Sequence, residues 1–129
     1  MKTVTDEMMD SLLQKAAESP RKRTNLNLHE EMSDSIHRLC IAALPETDIK
    51  PHRHPGKFEL VIMLRGRITM ETFHADTASP AGSYELSANG SCKVLEMDDT
   101  VYHRPVIHEP AVFLEVKRGP YEPAEDMQQ

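Results

Sequence analysis

Apolar and polar positions change period along this chain. Met8, Met9, Leu12, Leu13, Ala16 and Ala17 recur at helical spacing and make one stripe, which predicts an amphipathic helix over 5–19. Thr5 reads as its N-cap, Asp6 and Glu7 suit the positive end of the helix dipole, and Pro20 stops it. Beyond Pro20 the period drops to two. Leu26 and Leu28 alternate with Asn25, Asn27 and His29, so the three polar residues share one face of a short strand. The apolar run 35–44 reads as a buried strand closed by Pro45, with His37 and Cys40 on opposite faces by parity. A continuous apolar strand over 58–65 and an alternating one over 67–73 meet at Gly66 and predict a hairpin. A loop at 76–82 and short strands at 83–86, 91–97 and 111–117 follow, and the proline- and acid-rich tail after Gly119 is expected to hug the surface or fray. One helix among many short strands predicts an all-β sandwich or barrel: a helix within 1–20 packed on a barrel of 21–129, one domain overall.

Composition narrows the setting. At 129 residues, 39% hydrophobic and 28% charged, the chain suits an ordinary globular protein that buries roughly two-thirds of its unfolded surface. A net charge of −6 without a basic block argues against nucleic acid as a partner. The first 20 residues lack the apolar core of a signal peptide, and no run approaches the roughly 20 apolar residues of a membrane span, so a cytoplasmic protein with no membrane partner is expected. Cys40 and Cys92 stand far apart in sequence and read as reduced thiols, Cys40 as a small core residue.

The chemistry concentrates between Pro51 and Gly66, in the pattern His52-x-His54-x4-Glu59-x6-Gly66. Pro51 and Pro55 favour extended backbone in the residues before them, and on extended chain His52 and His54 point to the same face. Two imidazoles and a carboxylate converging there suit a divalent first-row metal. The Asn25, Asn27 and His29 face has two readings: it is solvated, or it lines a polar cavity with Arg21 and Arg23 at the mouth as anion clamps. Arg65 and Arg67 read as solvated edge charges, and His74 and His108 fall near loops. No Ser-His-Asp order and no Gly-rich phosphate loop is present.

The His-x-His-x4-Glu-x6-Gly pattern resembles the first sequence motif of the cupin superfamily, without that motif's upstream glycine. The resemblance implies a double-stranded β-helix, a jelly-roll-like barrel with a metal at its centre, and a fourth ligand from a second motif some 40 residues later. His103 takes that place, although the usual Pro-x-Gly-x-x-His stands here as Asp98-Asp99-Thr100-Val101-Tyr102-His103. More narrowly, the run from Ser19 to His29, Pro51 to Pro55, Leu64 to Arg67 and Phe113 to Tyr121 is similar to the WbuC family of cupin-fold metalloproteins. That likeness covers almost the whole chain. It implies a bacterial cytoplasmic homodimer with one divalent transition metal (iron, manganese, nickel, cobalt or zinc) on His52, His54, Glu59 and His103, and it favours Asn27 and His29 as cavity-facing.

Three imidazoles and a carboxylate would leave one or two positions of the metal open, as catalytic rather than structural centres do. The expected function is therefore a metal-dependent enzyme, an isomerase or epimerase, acting on a small polar substrate such as a sugar or sugar-nucleotide of surface-polysaccharide metabolism. His29 is the candidate catalytic base, and Arg21, Arg23 and Asn27 are the candidate substrate-binding residues. The alternatives are a non-catalytic carbohydrate-binding or sensing module and a ferrous-iron dioxygenase.

Overall fold

The computed structural model describes residues 1–127. It contains one helix, α1 (Asp6–Glu18), and ten strands: β1 (Arg23–Asn27), β2 (Ile36–Ala43), β3 (His52–Arg53), β4 (Glu59–Arg65), β5 (Arg67–Phe73), β6 (Pro80–Ser87), β7 (Val94–Met97), β8 (Tyr102–Ile107), β9 (Ala111–Arg118) and β10 (Glu125–Asp126). The strands form two antiparallel five-stranded sheets, ordered β1-β2-β9-β4-β7 and β10-β3-β8-β5-β6. This is the all-β cupin architecture with an N-terminal helix. The last two residues of the expected 21–129 barrel, Gln128 and Gln129, lie outside the described residues.

Alternation assigns each strand its two faces. On β2, Cys40 and Ala42 point outward to α1, where Met9, Leu12, Ala16 and Val112 complete a buried cluster. Thr5 caps α1 as expected, its Oγ1 accepting from the Met8 N–H at 3.2 Å, and Ser19 closes the other end. The opposite faces build the core between the sheets, from Val61, Met63, Ile68, Met70, Leu86, Met97 and Phe113. Apolar side chains thus fill the space between the sheets.

Two expectations need correcting. The strands meeting at Gly66 do not form a hairpin: β4 pairs with β7 and β9, whereas β5 pairs with β6 and β8 in the other sheet. Gly66 carries the chain between sheets at φ +79°, and a Cβ there would stand 2.4 Å from the Pro110 carbonyl oxygen. Periodicity reports faces, not partners, so it could not separate a sheet change from a hairpin. The second correction concerns 98–107, which the hydrophobic pattern left without a strand. β8 runs there between β3 and β5, with Pro105 opposite Met70. Proline in a central strand is rare enough to hide it.

Candidate metal centre

His52 is the first residue of the short strand β3 and pairs directly with His103 on β8. Cross-strand partners share a face, so two histidines that are distant in sequence become neighbours, with ring centroids 4.6 Å apart. His54 follows β3 and opens the Pro55-Gly56 turn, which the Lys57 N–H closes on the His54 carbonyl at 3.0 Å with Gly56 at φ +76°. Glu59 begins β4 in the other sheet, opposite Lys117 on β9. The absent proline and glycine before His103 are replaced by an Asp98 turn, in which the side-chain oxygen accepts from the Thr100 N–H at 2.9 Å.

The imidazoles are oriented from behind. His52 Nδ1 lies 2.8 Å from the Lys50 carbonyl, and His103 Nδ1 lies 3.0 Å from that of Val101. Each Nδ1 therefore donates its hydrogen, which turns the Nε2 of each ring inward to the cluster. His103 Nε2 stands 2.8 Å from Glu59 Oε2, and His54 Nε2 stands 3.6 Å from the same oxygen. Even so, His103 Nε2 and Glu59 Oε2 are both buried without an aligned hydrogen-bond partner. Burying polar atoms unpaired is costly, and a cation between them would remove that cost. The ligand atoms of His52, His54 and His103 lie within 4.8 Å of one another, as do those of His54, Glu59 and Glu115. The donor set fits a divalent metal.

Sequence reasoning assigned Glu115 no role. It lies on β9, where Phe113, Glu115 and Lys117 share the inner face, and its carboxylate is 3.1 Å from the Lys117 ammonium. A readable signal existed: a glutamate at an inward position of an otherwise apolar strand. Burial, and then the charge of Glu59, hold the Glu115 carboxyl well above the usual carboxylate range. Burial pushes Glu59 in the same direction, but its contacts with His103 overcome that and keep it ionised, far below its ordinary value. Burial lowers His54 to about 4 and, with help from His103, also lowers His52. For His103 the Glu59 contact outweighs burial, and its pKa rises.

A cavity of about 350 Å³ opens from this cluster. Arg21, Arg23 and Asn25 line it, together with Tyr121 and Glu122 of the tail. Asn27 is not in the wall; its side chain accepts from the Asn25 amide at 2.6 Å and steadies that residue from outside. His29 is also elsewhere. It is buried, stacked on His37 at 4.1 Å, and its Nδ1 accepts the Arg38 N–H at 2.9 Å. The strand ends at Asn27, so the alternation that would carry His29 to the cavity stops one residue pair too early. Arg65 binds Asp10 of α1 at 2.6 Å, and Tyr102 bonds to Glu125, both away from the cluster.

The tail is an ordered strap. The Tyr121 N–H bonds to the Met32 carbonyl at 2.7 Å, Lys57 reaches the Pro120 carbonyl, and β10 pairs with β3. No described helix is long and apolar enough to cross a membrane.

Solved structures share this fold. KdgF from Halomonas sp. superposes with a TM-score of 0.62 at 13% identity, covering 81% of this chain and 84% of that one. The oxalate decarboxylase of Lactobacillus farciminis, solved as a formate complex, gives 0.58 at 19% identity, covering 73% of this chain and 27% of that one. The Bacillus subtilis oxalate decarboxylase, an enzyme with Mn(II) centres, gives 0.59 at 20% identity, with coverages of 73% and 24%. The chain thus spans about a quarter of the length of the decarboxylases. No curated protein matches it in sequence. The model of a family described as a domain of unknown function, DUF6016, matches residues 4–81, more than half of the chain.

Proposed function

The chain belongs to the DUF6016 family, and from its cupin fold and its buried histidine–carboxylate cluster we propose that it is a metal-dependent enzyme acting on a small polar substrate. One observation carries the reading: His103 Nε2 and Glu59 Oε2 are buried, face one another at the inner end of a cavity, and lack hydrogen-bond partners. His52, His54, Glu59 and His103 would hold the ion. A divalent ion bound there would supply Lewis acidity toward a carbonyl or hydroxyl oxygen.

The chain's own residues do the rest. The Lys50 and Val101 carbonyls fix two imidazole orientations, so little reorganisation accompanies binding. Burial and the charge of Glu59 raise the pKa of Glu115, which is placed to exchange a proton with a ligand atom at the cluster. His29, locked between His37 and Arg38, is not placed for that task. The strap residues Tyr121 and Glu122 wall off part of the cavity from water.

The likeness to the WbuC family supports a sugar or sugar-nucleotide of bacterial surface-polysaccharide metabolism as the substrate class, and a cytoplasmic homodimer as the working form. Metal analysis of the purified wild type against His54→Ala and His103→Ala tests the site. Both variants should lose the metal, and unchanged content in both would sink the assignment. A non-catalytic binding module is the second reading, favoured by the arginines at the mouth; saturable sugar binding without product under every metal and oxygen condition would select it.

A further inference from the structure

The charges along the cavity wall are unevenly matched. At the inner end Glu59 and Glu115 face Lys117 and the histidines. At the mouth Glu122 is drawn off by Lys57, whose ammonium lies 3.5 Å from its carboxylate. Arg21 and Arg23 stand on the same wall, and neither forms an ion pair among the described residues. The Arg23 guanidinium donates only to neutral oxygens, the Thr47 hydroxyl at 3.0 Å and the Asp48 carbonyl at 3.3 Å. Thr47 in turn donates to the Arg21 carbonyl at 2.7 Å, so the same loop holds the Arg23 side chain and the Arg21 backbone. Asp48 acts on Arg23 only from beyond ion-pair distance, and Arg21 adds a second cation without an ion-pair partner to the same wall, which leaves the mouth short of an anion. Burial, and then the neighbouring Arg21, lower the pKa of Arg23, and the charge of Asp48 offsets them only in part.

The rest of the wall narrows the ligand. Asn25 offers its side-chain amide beside the arginines, while Leu39, Ile41 and Phe113 supply an apolar strip. A volume of about 350 Å³ lies near the floor of the roughly 300–1,000 Å³ span of small-molecule sites. That holds one monosaccharide-sized molecule, and a nucleoside diphosphate group would have to protrude.

We propose that the ligand is a small polyhydroxy acid, a monosaccharide unit whose carboxylate or phosphate is clamped by Arg21 and Arg23 while an oxygen at its other end meets the histidine–glutamate cluster. This rests on reading the cluster as a metal site, and it replaces a neutral sugar or an enclosed nucleotide sugar with a compact anion.

Calorimetric titration of the metal-loaded full chain with glucose, glucuronate and glucose 6-phosphate tests it. At least one acid should bind about tenfold or more tightly than glucose, and the better of the two identifies the anionic group. Arg21→Gln, a change at an exposed turn position, should remove that advantage while leaving metal content and thermal stability unchanged. Arg23→Lys, which keeps a charge but loses the planar fork, should weaken the acid by a smaller factor. Equal affinity for glucose and both acids, no binding of either acid, or an acid preference that survives Arg21→Gln would overturn the proposal. The underlying reading fails differently: a protein that retains no metal, or binds the acids equally well after chelation, refutes the metal site and leaves the arginine clamp standing.

Discussion

Glu59 and Glu115 sit on neighbouring strands, and their surroundings shift their pKa values in opposite directions. Both are buried, but the contacts of Glu59 with His103 outweigh its burial, whereas for Glu115 burial and the charge of Glu59 outweigh the nearby Lys117 ammonium. Their isosteric variants should therefore differ. Glu59→Gln removes an ionised ligand and should weaken metal retention by at least the roughly 10–100-fold typical of lost supporting groups around a metal. Glu115→Gln preserves a neutral, hydrogen-bonding side chain, so metal should stay while turnover falls. Metal titration paired with a single-turnover assay reads both, and loss of metal in the Glu115 variant would make that residue a ligand. Legibility in the sequence followed distance. His52, His54 and Glu59 could be found because short spacing and local extension bring them together. His103 came from the resemblance to the second cupin motif and not from spacing, since only the pairing of β3 with β8 makes it a neighbour of His52. Glu115 went unread because one carboxylate in an apolar strand has no partner visible in the local pattern.

Among the elements, α1 was the most readable, because cap, stripe and stop all lie within its own sequence. The tail was the least readable. Its order comes from contacts with residues far away, and β10 is too short to show a period. Glu125 anchors it through Arg53 and the Tyr102 hydroxyl, and those bonds hold its carboxyl below its ordinary 4.5, Arg53 contributing most. A depressed folded value means the anchor is at full strength above that ordinary value. It is lost as pH falls through the lower folded one. Limited proteolysis within 120–127 should accelerate in that acid window, and Glu125→Gln should give the fast rate already at neutral pH. A wild-type rate that does not change with acidification would remove Glu125 from the role.

Across the whole molecule, the fold class was legible because many short strands and one helix leave few architectures, while the connectivity was not. Gly66 is where the difference lies. It combines a left-handed φ with backbone on the far side of its missing side chain. Gly66→Ala should cost about 1–3 kcal/mol or more, measured by denaturant unfolding. An alanine variant of wild-type stability would mean the crossing can relax.

The cluster also has a mechanical side. Its proposed ligands are divided between the sheets: Glu59 belongs to β4, and His52 and His103 to β3 and β8. An ion gripping both sets would be a rivet between the two sheets, beside the apolar core that already joins them. Ligation at a thousandfold excess over Kd contributes about 4 kcal/mol to stability. Chelation should lower Tm and speed amide exchange in β3 and β8 well before it loosens β2 or α1, so the protein would come apart from its working end, like a barrel losing its hoop.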